Sequence, residues 1–390
     1  MSTQPIVHPQ LVVGQPRGPA DVDVRGRLAT GIFLLAIYCA IALWIAIAIV
    51  EPAMAEGDVG TKYWADSQYI MFFEERYYDL ALLKLAGSIL GPLLIARLLN
   101  FDAMYICLAN CGMLIAVFFC LRKYAPRGDT LFLLLIMMSP MTLFSLTSIN
   151  KEIIGALGFA LFIRYLENRR PLLLVAAVGV SFLARWPQAV FLLAIVVIYG
   201  KASRSWKTRY KWFALVLLIV SVVYPILNRQ ESMQEFVTAQ GRFADPQYEK
   251  FGGFLQSLNS VEENFAYPLV AVPKIILNLF SSLPRTWSVL TAGPGELGLD
   301  FYNNYVILFH QIATFAVLLT IVLRRRVKYY SPALFISLVY CGVFAIGSVL
   351  NSRIFYPIYP LLCLQALWVP QEFRTYRVAA ARSDLRRSGW

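Results

Sequence analysis

The run LATGIFLLAIYCAIALWIAIAIV, residues 28–50, is followed at once by EPAMAEGDVGTKYWADSQYI, residues 51–70. The first stretch carries no charge and is long enough to cross a bilayer as a helix. The second is rich in acids and aromatic residues. Apolar runs of roughly 15–23 residues recur from here to the end of the chain. Backbone polar groups find no water in lipid, so such runs must be helical. The 390-residue chain is 58% hydrophobic and 15% charged, against about 25% charge for a soluble domain. The fold class read from this is an all-α polytopic membrane protein of about ten spans, with outer-face membrane-surface helices.

The stretch from Glu51 to Asp102 holds eight of the chain's 23 acids: Glu51, Glu56, Asp58, Asp66, Glu74, Glu75, Asp79 and Asp102. Tyr63, Trp64, Tyr69 and Tyr77 are threaded among them. Acids are scarce elsewhere, so this stretch reads as the chemical face of the protein, with the remaining segments as its scaffold. The aromatic residues fit either stacking on sugar rings or an interfacial belt.

Orientation follows from the basic clusters. Arg17, Arg25 and Arg27 precede the first span and place the N-terminus inside. Arg122-Lys123 with Arg127, the group from Lys201 to Lys211, Arg324-Arg325-Arg326 with Lys328, and the C-terminal arginines are likewise cytoplasmic on this rule. The spans are then Leu28–Val50, Ala103–Leu121, Thr130–Thr147, Ile153–Tyr165, Pro171–Trp186, Pro187–Gly200, Phe213–Leu227, Asn303–Leu323, Ser331–Leu350 and Ile354–Val369. Asp79–Leu99 is apolar enough to look like another span. If it crossed, every later basic cluster would invert, so it is read as lying on the outer surface; Gly91-Pro92 and the charges Lys84 and Arg97 support this. On this threading the inner side carries 23 of 35 Lys and Arg and six of 23 acids. The division is a flexible tail at 1–27, one transmembrane domain at 28–370 with outer loops 51–102 and 228–302, and a basic tail at 371–390. The expected location is a bacterial inner membrane, with both termini cytoplasmic.

The formal net charge of +12 is explained by these inner loops, and no nucleic-acid partner is expected. The six cysteines lie in apolar segments, with neither a disulfide framework nor metal-ligand spacing, and read as small packing residues. No Walker A, dinucleotide turn or His-Glu-x-x-His motif is present. No cofactor is evident, and a divalent metal stays open. His310, alone inside a span, reads as a hydrogen-bonding packing residue.

Charge near membrane depth is costly and usually functional. Lys151 and Glu152, in Ser148-Ile-Asn-Lys-Glu152, interrupt two apolar runs on the outer side; the alternative is a solvated turn that caps the next helix. Arg185, Arg285 and Arg353 are isolated arginines assigned to the same face. Arginine binds phosphate bidentately and stays charged when buried, so their convergence on one outer pocket would suit a diphosphate.

These features resemble bacterial polytopic glycan-assembly enzymes: the C-type glycosyltransferase superfamily and polysaccharide polymerases of the Wzy kind. Asp66-Ser-Gln-Tyr69 resembles the Asp-x-x-Tyr of the first outer loop in C-type enzymes. Ser139-Pro140 followed by Ser148-Ile-Asn-Lys-Glu152 resembles the Pro…Lys/Thr-Glu turn of these families. Arg353-Ile-Phe-Tyr-Pro-Ile-Tyr-Pro360 resembles their Arg…Tyr-Pro segment. The resemblance lacks a clean acidic pair and a soluble C-terminal domain. It implies a polyprenyl-linked sugar donor and a glycan or lipid acceptor at the bilayer surface. Asp66 or Asp58 would deprotonate the acceptor, and Glu152 would orient. Lys151, Arg185, Arg285 and Arg353 would hold the phosphate, with Tyr69 beside the substrate. The competing expectations are a flippase or transporter of lipid-linked glycans and a scaffold subunit.

Overall fold

The computed structural model describes residues 19–52, 90–125, 129–149, 151–201, 206–228, 254–283, 286–291, 301–324, 331–346 and 352–367. Among these residues all regular structure is helical and no strand occurs. The chain is an all-α protein with several helices suited to a membrane.

Helix α1 (Pro19–Ile45) starts inside the stretch read as a tail and runs into a π-helical turn at Ala46–Val50. Helix α2 (Leu90–Leu98) ends in two left-handed residues, Asn100 and Phe101, with φ of 52° and 57°. These reverse the chain into α3 (Ala103–Leu121), whose first turn is capped by Asp102: its carboxylate accepts from the Tyr105 amide at 2.9 Å. Val50 packs with Leu93, Ala96, Ala103, Ile106 and Ile149 in one apolar cluster. The stretch 51–102 therefore leaves and returns at the same end of the bundle. Of Asp79–Leu99, only the portion from Leu90 is described. That nine-residue helix is too short to cross alone, at about 1.5 Å per residue against a core of about 30 Å.

Two segments differ from their sequence reading: Ile354–Val369, expected as a span, is a 3-10 turn followed by the nine-residue helix Tyr359–Leu367, and the other is 130–147. Thr130–Thr147 was expected to be a single span. It is two helices, α4 (Asp129–Met137) and α5 (Pro140–Thr147), bent by 74°. Pro140 has no amide hydrogen and bars Ser139 from the helical region, and Ser139 is extended at φ −80°, ψ 118°. Carbonyls left open by the break are satisfied by side chains: the Thr142 hydroxyl donates to Ile136 O at 2.7 Å, and the Tyr359 hydroxyl to Leu135 O at 2.7 Å.

Helices α6 (Glu152–Asn168), α7 (Pro171–Ala184) and α8 (Trp186–Lys201) follow. Glycines on α6 let its neighbours approach closely, a device common between membrane helices. A Cβ on Gly158 would lie 2.2 Å from Ser181 Oγ, and one on Gly155 would meet Gln188 at 2.9 Å and Pro357 at 3.0 Å. The remaining elements are α9 (Trp206–Asn228), α10 (Phe254–Val261), α11 (Tyr267–Phe280), α12 (Thr286–Thr291), α13 (Phe301–Leu323), α14 (Pro332–Phe344), a 3-10 segment (Ser352–Ile358) and α15 (Tyr359–Leu367). The 3-10 segment and α15 lie in the core, with Tyr356, Ile358, Tyr359 and Cys363 fully buried.

Among the described residues, four helices are long and apolar enough to cross a membrane: Leu28–Val50, Ala103–Tyr124, Lys207–Ile226 and Tyr305–Leu323. The bent pair α4–α5 would make a fifth. Helices α7, α8 and α14 are apolar but shorter.

Helices α10 and α11 pack beside α9 and α14. Phe265, at φ 63°, marks the kink between them. Lys274, with no exposed side-chain surface, forms an ion pair with Glu262, which is also buried. Burial pushes the Lys274 ammonium below its ordinary range, while the Glu262 carboxylate pulls it back up. Removing one charge of such a pair strands the other, whereas replacing both with apolar groups does not. Lys274→Met is expected to cost about 3–5 kcal/mol in equilibrium unfolding in detergent, and Glu262→Leu/Lys274→Met to recover most of that loss.

Candidate functional site

The candidate site is built at the start of α6. The connector from α5 is held by Asn110 of α3, whose amide donates to Leu146 O and Ser148 O, each at 3.1 Å. Lys151, half-buried, is the N-cap residue of α6, and Glu152 opens its first turn. A carboxylate at a helix N-terminus is favoured by the helix dipole. Glu152 is only 1% exposed, and a buried carboxylate needs positive partners.

Two arginines supply them. Glu152 Oε1 lies 3.5 Å from Arg185 Nη2 and 3.5 Å from Arg353 Nη2. Arg185 is the single extended residue that separates α7 from α8, at φ −162°, ψ 120°. Arg353 lies in the 3-10 segment, with its guanidinium 5.2 Å above the Phe144 ring of α5. Both arginines are buried, at 7% and 9% exposure. The three charged groups thus come from three elements that are distant in sequence. With Glu152 ionised they sum to one positive charge, and Lys151 adjoins them in the chain. This arrangement suits an anion better than a cation. The Glu152 carboxylate engages both guanidiniums, which is the geometry of an orienting group.

Tyr340 of α14 completes the arrangement. Its hydroxyl donates to Ile354 O at 3.0 Å, next to Arg353. Its ring is caged by Phe159, Phe191, Phe344 and Phe355, with centroids 5.1, 5.4, 4.2 and 6.2 Å away. Nothing in the sequence marks this residue: a tyrosine in an apolar run looks like packing. Gln188, one turn after Arg185, donates to Gly155 O at 2.9 Å and to Ser181 Oγ at 3.2 Å, fixing α8 against α6 and α7.

The structure therefore brings together Glu152, Arg185 and Arg353, with Lys151 next in the chain. Asp58, Asp66, Tyr69 and Arg285 lie outside the described residues, as do Tyr63, Trp64 and Tyr77. The described ends of the acidic stretch do adjoin the site. Val50 and Leu93 pack on Ile149, three residues before Glu152. Gly91 fits against the backbone of Leu183, two residues before Arg185; a Cβ there would be 2.3 Å from Leu183 O.

His310 sits apart from the charged group. Its Nδ1 is 2.8 Å from Ser139 Oγ, and its ring packs on Tyr356 and Tyr359 with centroids 5.7 and 5.2 Å away. It links α13 to the break between α4 and α5, in keeping with a hydrogen-bonding packing role. All six cysteines are free. Among the described residues, no group of three or more His, Cys, Asp or Glu is placed to hold a metal.

No family model, curated protein or solved structure matches this chain.

Tyr340→Phe keeps the ring cage and removes only the hydroxyl. It is expected to cost about 1–3 kcal/mol in unfolding, the range for leaving a buried acceptor, here Ile354 O, without its hydrogen bond.

Proposed function

We propose that the protein is a membrane glycosyltransferase or polysaccharide polymerase. It transfers a sugar or oligosaccharide from a polyprenyl-phosphate or polyprenyl-diphosphate carrier to a glycan or lipid acceptor. In this reading the chain has about ten spans, and its site faces the outer side of a bacterial inner membrane with both termini inside. One observation carries the proposal: Glu152 holds Arg185 and Arg353 together, buried, at the bundle end where the acid-bearing stretch begins and ends.

The chemistry divides between the two parts. Glycosyl transfer with inversion needs a carboxylate to take the acceptor's proton. Asp66 is the first choice for this base and Asp58 the second. The leaving carrier phosphate gathers negative charge as the glycosidic bond breaks, and preorganised cations stabilise it. Arg185 and Arg353 fill that role, with Lys151 and Arg285 as further phosphate ligands. Glu152 sets the spacing of the arginines, and Tyr69 contacts the substrate. A flippase would be expected to carry charges along a route from one side to the other. The clustering of unusual charges at one bundle end favours an enzyme.

The test is transfer from a polyprenyl-linked sugar by the full chain in proteoliposomes. Removing one preorganised charge donor typically costs about 100- to 1,000-fold in turnover; that range is expected for Arg353→Ala. Of Asp66→Asn and Asp58→Asn, at least one should abolish transfer. Full activity in both would remove the catalytic assignment.

A further inference from the structure

Two buried polar atoms beside the charged group make no hydrogen bond among the described residues. Arg185 gives Nη2 to Glu152, while its Nη1 has no partner. Gln188 has no exposed surface, and its Oε1 has no donor. The way round of this amide is fixed by its neighbours. Its nitrogen donates to Gly155 O at 2.9 Å and to Ser181 Oγ at 3.2 Å. Turning the amide over would set its oxygen against the Gly155 carbonyl, which can only accept. Buried polar atoms without partners are costly, and a native structure carries few of them.

The two atoms are close neighbours. Arg185 is the residue at the break before α8, and Gln188 lies in the first turn, with its backbone amide donating to Arg185 O at 2.9 Å. Both side chains reach α6: Arg185 at Glu152, and Gln188 at Gly155, three residues later. Residues three apart share one face of a helix and are separated by about 4.5 Å along its axis. A single oxygen can bond two groups about 5 Å apart at ordinary hydrogen-bond lengths. Glycine at 155 keeps Oε1 uncrowded, since a Cβ there would stand 2.9 Å from it.

The chemistry of the pair selects its ligand. Nη1 only donates and Oε1 only accepts. An anion satisfies the first and not the second. A cation satisfies the second and is repelled by the guanidinium. A hydroxyl group satisfies both, accepting from Nη1 and donating to Oε1. Water and the sugar of a lipid carrier both supply hydroxyl chemistry. The sugar is joined to the carrier through a phosphate oxygen, so its hydroxyls lie a few bonds from any phosphate held by Arg185. Nη1 carries two hydrogens, and a hydroxyl on one leaves the other for that phosphate.

We infer that Arg185 Nη1 and Gln188 Oε1 together bind one hydroxyl of the sugar next to the carrier phosphate, which makes Gln188 a specificity residue for the donor. The inference rests on the assignment of a polyprenyl-linked sugar to the Glu152 site.

The test measures binding of short-chain polyprenyl diphosphate sugars to the full chain in nanodiscs. The parent probe is whichever of the glucose and galactose forms binds more tightly, and its monodeoxy analogues carry the same charge. A hydrogen bond to a charged group contributes about tenfold or more. In the wild type, one deoxy analogue should therefore bind about tenfold more weakly than the parent. In Gln188→Met the same deletion should change affinity by less than about twofold. Gln188→Glu loses the bonds to Gly155 and Ser181 but keeps an acceptor oxygen, and it should retain the tenfold discrimination. A merely structural Gln188 would make the Met and Glu variants behave alike. If Gln188→Met does not fold, Gln188→Asn, which withdraws the oxygen by one methylene, takes its place with the same expectation. Deoxy analogues that all bind the wild type like the parent would overturn the inference and leave water as the source of the hydroxyl. Discrimination unchanged in Gln188→Met would overturn it too, as would binding of the bare polyprenyl diphosphate but of neither sugar form. In each of these cases bare diphosphate binding leaves the phosphate assignment standing. Failure of the wild type to bind any probe, the bare diphosphate included, would overturn that assignment and this inference together.

Discussion

A carboxylate buried among apolar helices is tolerable only with positive partners and hydrogen bonds at hand. Glu152 meets this condition through Arg185 and Arg353. Meeting it constrains much of the bundle. The α7–α8 junction must open at one residue to deliver Arg185. The segment before α15 must be buried as a tight 3-10 turn to deliver Arg353. Tyr340 must anchor the 3-10 segment at Ile354 O, and α6 must be narrow at Gly155 and Gly158 for these elements to reach its N-terminus.

The bent pair α4–α5 belongs to the same constraint. The break at Ser139 lets α5 turn so that Phe144 lies under Arg353, and the Tyr356 hydroxyl bonds Thr142 at 3.1 Å. His310 and Tyr359 close the break from α13 and α15. A straight helix through 130–147 would have had no open carbonyls to satisfy. It would also have had no reason to place polar side chains at this depth. The polar seam is thus a consequence of one irregularity, which starts at Pro140 and adjoins the charged site through Phe144.

What the sequence made readable follows from cost. Charges in apolar runs are expensive, so Lys151, Glu152, Arg185 and Arg353 stood out, and the structure places three of them within one ion-pair group. Long apolar stretches such as Leu28–Val50 and Ala103–Leu121 were equally plain. Groups that cost little when packed were hidden. Tyr340 and Gln188 look like ordinary members of apolar helices until their hydroxyl and amide partners are seen. The kink at Ser139-Pro140 was present as a motif, but nothing in apolar periodicity separates a bent pair from one span. The Glu262–Lys274 pair joins residues on either side of a non-helical kink, which spacing rules for a single helix do not anticipate.

The central claim is that the arginines gathered by Glu152 bind the phosphate of a lipid carrier. The most direct measurement is phosphorus NMR of a short-chain polyprenyl diphosphate titrated into the purified full chain, beside Arg185→Gln and Arg353→Gln variants shown to be folded. The expected result is a shifted, saturable diphosphate resonance in the wild type that is lost in each variant. Binding that survives without either arginine, or no binding to the wild type, would contradict the claim.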